Sequence, residues 1–342
     1  MGPVKRRTVL AGIAAGSVAL LIASSAQAAD KVSVGVLRFV SSGGLYLAVE
    51  RGYFAAEGLE LELKFFQAAQ PIAVAIASGD ADFGLTGITA GSLNLAGKGG
   101  LKIVASQGAE KKGFAGNQLI ASNDAFAKGL DKPEKVAGAS VAITQVGSTF
   151  HYQLGQIADA KGFELSKIAM KPVQSLPNMI AAVKTNQVDA TILPSHIAGP
   201  MIERGEAKPV SSMSDIADYQ YGALFASPKL VADKRDVVAR FVRAYKKGLA
   251  DYGAALLRAD ASGKRVADDK AKEAAAQIAK YVYPSDPADQ GATKVIASAP
   301  YCDPTGKLDL AGIEKQIAWY KSEKLVDENV DAKAFVDLGF AE

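Results

Sequence analysis

The sequence predicts an α/β protein of two lobes, each a mostly parallel sheet flanked by helices, with a cleft between them. Three observations carry that expectation. Residues 31–63, KVSVGVLRFVSSGGLYLAVERGYFAAEGLELEL, read as strand, glycine-rich loop, helix and second strand. A weak internal repeat then sets out a second unit on the same plan. Ser33-Val34-x-Val36 leads through a helix and IAVAIASGDAD to Asp82, and Ser140-Val141-x-Ile143 leads through a helix and MIAAVKTNQVD to Asp189. Finally, the chain is expected to cross into the second lobe and back, with residues 113–118 and 218–222 absorbing the rotation between lobes.

Taken in order, the chain of 342 residues opens with Lys5, Arg6 and Arg7, an apolar run over 9–22, and Ala26-Gln27-Ala28. That is the pattern of a secretory signal peptide over 1–28, too short and wrongly flanked to span a membrane. The Arg6-Arg7 pair fits a twin-arginine address, with an ordinary Sec leader as the alternative. Lys and Arg number 39 against 36 Asp and Glu, and the three leader cations account for the difference, so the mature chain balances. Bulk charge therefore argues against nucleic acid or an anionic membrane surface as partner. Cys302 is the only cysteine, which excludes an intrachain disulfide and a cysteine metal cluster.

The first lobe is assigned 29–115 and 222–342, the second 116–221. Val32, Val34 and Val36 begin a buried strand, and Ser41, Ser42, Gly43 and Gly44 form the loop before a helix starting near Leu45. In each unit an amphipathic helix precedes a short strand over 81–85 or 188–193. Loops then follow at Thr86-Gly87-Ile88-Thr89 and Pro194-Ser195-His196. Asp82 and Asp189 are turn and strand-edge residues on this reading, since Asp bonds its neighbouring backbone readily. Residues 118–121 enter the second lobe as a strand and 221–226 return as one. Helical patterns fill 233–257, 268–281, 287–298 and 310–321, with an exposed charged loop over 260–269.

The residues LYLAVERGYFAAEGLELEL, and after them IAVAIASGDADFGLTG, give the sequence a resemblance to a known family. It resembles the periplasmic substrate-binding proteins of ABC importers for nitrate, sulfonates, taurine and thiamine-precursor pyrimidines. The resemblance implies a type II-like periplasmic binding fold and capture of a small solute, here an organic or inorganic anion such as a sulfonate, carboxylate or nitrate. It also implies a periplasmic monomer, delivery to a permease and its ATPase, and neither cofactor nor catalysis. A neutral pyrimidine ligand, a pyrimidine-synthase-like enzyme and a ligand sensor are the alternatives.

The candidate ligand residues are those on loops at strand ends facing the cleft. The first lobe offers Arg38, Phe39, Ser41, Ser42, Gly43, Thr86 and Thr89. The second offers Gly147, Ser148, Thr149, His151, Ser195 and His196, and Tyr221 lies near the hinge. Ser148 or Thr149 can cap the helix that follows, and N–H groups there can hold an anionic oxygen. Arg38 could pair with a carboxylate or sulfonate, or with Glu50 at the surface. Phe39, Phe150, Tyr152 and Tyr221 would suit a planar or apolar ligand body. His151 and His196 are read as hydrogen-bond donors, because no zinc ligand set accompanies them. No G-x-S-x-G elbow, phosphate loop or dinucleotide fingerprint is present.

Overall fold

The computed structural model describes residues 1–2 and 28–340. The leader motifs, the arginine pair included, lie almost entirely outside the described residues. Two five-stranded sheets organise the rest. In the first the strand order is Leu59–Phe66, Asp30–Leu37, Phe83–Gly87, Gly222–Ala226, Lys102–Ser106. In the second it is Ala169–Pro172, Ser140–Ile143, Ala190–Pro194, Asn117–Ala121, Lys208–Ser212. Each sheet contains a single strand antiparallel to its neighbours, and it is the one that arrives from the other lobe: Gly222–Ala226 in the first, Asn117–Ala121 in the second.

Local chemistry explains the strands. Val32, Val34 and Val36 alternate with small residues, so the strand between two parallel neighbours is buried on both faces. Gly35 lets the strand lie close under the helix Ala69–Ser78, since a Cβ there would sit 2.9 Å from Ile72. The repeat has a structural meaning as well. Asp82 accepts bonds from the Ser33 N–H at 2.8 Å and its hydroxyl at 3.1 Å, and Asp189 accepts from the Ser140 N–H and hydroxyl, both at 2.7 Å. Both aspartates are thus side-chain clasps at strand starts.

The long helix Arg235–Leu256 buries Val238, Phe241, Tyr245, Leu249 and Tyr252, spaced three or four apart, against the first sheet and the helix Gly43–Glu50. Phe241 stacks on Phe83 at 3.9 Å between centroids. Helix Leu310–Ser322 covers the opposite face of that sheet and reaches the second lobe, where Trp319 packs edge-on to Tyr152 and His151. A third sheet that periodicity did not reveal has Gly108–Glu110 at its centre, between Tyr219–Gln220 and Tyr301–Cys302. It lies where the chain crosses between lobes. Among the described residues no helix is long and apolar enough to cross a membrane.

The lobes meet through main-chain bonds. Ala90 N–H donates to Gly147 O at 2.8 Å, and Leu176 N–H to Gln67 O at 3.2 Å. Thr149 Oγ1 adds a bond to Ile88 O at 3.2 Å.

Candidate ligand site

Between the lobes lies a cavity of about 60 Å³, taken as the space that the centre of a water molecule can occupy. On that measure one water needs roughly 10–15 Å³, so the cavity suits a compact solute. Its wall comes from both lobes. Leu37, Phe39, Ser41, Ala68, Ala69, Gly87 and Gln107 belong to the first; Asn117, Thr144, Ser148, Thr149, Phe150, Leu176, Pro194, Ser195 and His196 belong to the second. Tyr221, Ser298 and Pro300 complete it near the crossings.

Of the predicted residues, Phe39, Ser41, Ser148, Thr149, Ser195, His196 and Tyr221 line the cavity. Ser148 is the N-cap of Thr149–Lys161, its hydroxyl accepting from His151 N–H at 3.3 Å, so the capping residue also lines the cavity. Ser195 and His196 stand in the first turn of Ser195–Glu203 rather than in a loop. The Ser195 hydroxyl donates to Gly116 O and accepts from Gln118. His196 is packed edge-on against Phe39 at 5.0 Å between centroids. Burial pushes its pKa down to about 3, opposed by a bond to the Arg38 backbone, so the ring is neutral at physiological pH.

Seven predicted residues are placed elsewhere, each for a physical reason. Arg38 turns away from the cavity: its guanidinium lies 3.7 Å over the Phe65 ring and donates to Tyr281 O at 2.8 Å. Glu50, its alternative partner, is taken by Lys280 and Tyr281. Gly43 and Gly44 are inside the helix Gly43–Glu50, not in a loop. A Cβ on Gly43 would lie 2.8 Å from both Ile278 and Tyr252, so that glycine serves close helix packing. Ser42 is buried beneath the cavity and donates to Leu37 O. Thr86 ends a strand with its hydroxyl buried. Thr89 caps Ala90–Gly97 through a reciprocal pair with Ser92 and donates to Gln70.

Gly147 and His151 act on the loop rather than on the cavity. Gly147 has φ +78°, a conformation glycine adopts without strain, and its N–H donates to His151 Nδ1 at 2.9 Å. With Nδ1 accepting, the neutral ring carries its proton on Nε2; burial lowers its pKa. His151 thus holds the turn that presents Ser148 and Thr149. Tyr152, named as a possible platform, packs among Tyr219, Trp319 and Tyr320 instead.

Three polar residues were missed: Gln107, Asn117 and Thr144. Gln107 donates to Ser42 Oγ at 3.3 Å and approaches Ser41 Oγ at 3.5 Å. Asn117 and Thr144 both line the cavity, and both residues are more than nine-tenths buried. The signal available for Asn117 was its place at the entry strand of the second lobe, directly after the first crossing.

Four helices begin at the cavity wall: Ala69–Ser78, Thr149–Lys161, Leu176–Lys184 and Ser195–Glu203 each contribute first-turn residues. The first N–H groups of a helix have no earlier carbonyl to bond, and its dipole places partial positive charge there. Among the described residues the wall contains no Lys, Arg, Asp or Glu.

Residues 40–255 match the family model described as NMT1/THI5 like. The chain belongs to the NMT1/THI5-like family. Among solved structures it is similar to the alkanesulfonate-binding protein SsuA from Xanthomonas axonopodis pv. citri bound to MOPS, at 18% identity and TM-score 0.70, covering 91% of this chain and 99% of that one. It is also similar to the periplasmic aliphatic sulphonate binding protein SsuA from Escherichia coli, at 16% identity and TM-score 0.66, over 90% and 92% of the two chains. The periplasmic nitrate-binding protein NrtA from Synechocystis PCC 6803 matches at 17% identity and TM-score 0.58, over 74% and 66%. No curated protein matches the chain in sequence. The fold shared with these structures is the two-lobed fold of periplasmic binding proteins, in agreement with the resemblance read from LYLAVERGYFAAEGLELEL.

Proposed function

We propose that this NMT1/THI5-like protein captures a small anion between its lobes and delivers it to a membrane importer, without covalent chemistry. The observation that carries the reading is the convergence of four helix starts on a cavity free of ionic side chains. Peptide N–H groups and the hydroxyls of Ser41, Ser148, Thr149 and Ser195 would share the anion's oxygens, as at other helix N-termini. Such contacts fit a sulfonate, a carboxylate or nitrate, the first and last being the ligand classes in the names of its structural neighbours. Export through the 1–28 leader would place the mature chain in the periplasm beside a permease and ATPase. Hinge closure at 113–118 and 218–222 would commit the solute.

Thermal unfolding of the mature chain in the presence of alkanesulfonates, nitrate, carboxylates and a neutral pyrimidine tests this. A ligand at about a hundred times its Kd stabilises by about 2.7 kcal/mol, enough to raise the melting temperature clearly. Stabilisation by one anion class, with the ligand recovered unchanged, is the expected result. Stabilisation by the pyrimidine alone, or conversion of any ligand to product, would overturn it.

A further inference from the structure

Glu110 ends the central strand of the crossing sheet and is completely buried. Its Oε1 accepts from the Asn117 N–H at 3.1 Å and from Gln153 Nε2 at 3.0 Å. Asn117 opens the entry strand of the second lobe and lines the cavity. Gln153 sits on the same helix as Ser148 and Thr149, and Tyr219, the residue paired with Glu110 across the sheet, belongs to the returning segment. Glu110 is therefore tied to the outgoing crossing and to the helix of Thr149 through its carboxyl, and to the return crossing through its strand pairing. Space for it is made by Gly116, where a Cβ would collide with Glu110 Oε2.

The other half of the group is unfinished. Glu110 Oε2, Gln153 Oε1 and Tyr219 Oη are all buried without a partner among the described residues. The Tyr219 hydroxyl can donate to only one of the other two oxygens, and a proton on the carboxyl lets Glu110 donate as well while remaining an acceptor. No cation compensates an ionised form. Lys111, the next residue, lies over the Tyr301 ring, and Arg265 lies over Phe114. The titratable groups facing the carboxyl from the packed elements are Tyr219, Tyr221 and, through Tyr219, Tyr152 and Tyr320, with His151, its pKa lowered by burial, two residues before Gln153 on the same helix.

We propose that Glu110 is a proton-operated latch of the hinge: protonated, it ties both crossings and the cavity-closing helix together, and on giving its proton to solvent it releases the lobes. Burial without a counter-charge raises its pKa from the ordinary 4.5 to about 8, against the two hydrogen bonds from Asn117 and Gln153. Opening separates Asn117 and Gln153 from the first-lobe end of the hinge and hydrates the carboxyl, returning it toward its ordinary pKa. The closed form then binds the proton more tightly than the open one. The contribution to closure is complete below the ordinary carboxyl pKa and is lost as pH rises through about 8. Within that interval the closure constant falls by up to about tenfold per pH unit.

This inference rests on the lobes parting, as the proposed function does, but not on the solute. It is tested on the mature chain with no ligand added, so its failure leaves the ligand screen unaffected. Small-angle scattering between pH 6 and 9.5 should show the radius of gyration of the wild type rising with pH. Glu110→Gln, which keeps an acceptor and gains a permanent donor, should stay compact throughout. A wild-type radius independent of pH, or a Glu110→Gln radius that follows the wild type, overturns the latch. Infrared spectroscopy of the wild type in D₂O covers the case in which the variant does not fold. A protonated carboxyl band present at pH 7 and lost above pH 9 is expected, and its absence at pH 7 overturns the proposal.

Discussion

The units 33–82 and 140–189 close with the same clasp, a serine N–H and hydroxyl on an aspartate oxygen 49 residues further on. Past the leading strand they diverge. In the second unit the chain turns through Gly147 and delivers Ser148 and Thr149 to the cavity. In the first, Gly43 and Gly44 enter a helix whose glycine face is pressed against Leu249, Tyr252 and Ile278, and from the turn before it Phe39 and Ser41 line the cavity. The clasp depends on partners inside the unit, so it repeats. What a loop does depends on elements that pack on it from elsewhere, so it need not.

Two glycine substitutions separate these fates most sharply. Gly147→Val forces a branched residue into φ +78° and sets its Cβ 2.8 Å from that of Ala90 in the closed form. Backbone strain of about 1–3 kcal/mol plus that collision should weaken ligand binding by about a hundredfold in calorimetry, with a smaller change in melting temperature. Gly43→Val should do the reverse: overpacking against Tyr252 and Ile278 lowers stability by about 1–3 kcal/mol, while the affinity of the folded fraction is preserved. A large affinity loss in Gly43→Val would mean that the first loop works like the second.

The clasps should prove interchangeable in effect. Asp82→Asn and Asp189→Asn each weaken charge-assisted bonds, for a loss of about 1.5–3 kcal/mol in chemical denaturation and little change in affinity. Strongly unequal losses would break the equivalence of the lobes. Next in size is the Ser148→Ala, Thr149→Ala double variant. It removes the N-cap and the Thr149–Ile88 bond between lobes, and should raise Kd about tenfold or more. Arg38→Ala should leave Kd within about twofold, because an exposed guanidinium stacked on Phe65 is remote from the solute. A tenfold loss there would return Arg38 to the site.

These outcomes follow the line between what was legible in the sequence and what was not. The alternating valines of Asp30–Leu37, the helix at Arg235–Leu256 and the 49-residue clasps are written in short-range pattern or repeated spacing, and the strands and helices fell close to their expected bounds. That Ser41, Ser148, Thr149 and Ser195 line a cavity was legible because strand-to-helix junctions in such sheets face a cleft. The place of Arg38 outside the cavity lining was not legible, because Phe65 and Tyr281 hold it and neither lies beside it in the chain. Asn117, Gln107 and Thr144 occupy strand ends and connecting turns where an amide or hydroxyl carries no pattern of its own. The crossing sheet is built from segments of two or three residues, too short for any periodicity to appear.

The bonds that join the lobes at Ala90–Gly147 and Leu176–Gln67 are made by peptide groups, which every residue except proline can supply in full. Neither bond therefore depends on which side chains stand around the cavity, Gly147 excepted, whose φ of +78° admits no branched side chain without strain. Exchanging Asn117, Thr144 or Phe39 alters the wall without removing either bond, whereas exchanging Thr149 also removes its hydroxyl bond to Ile88.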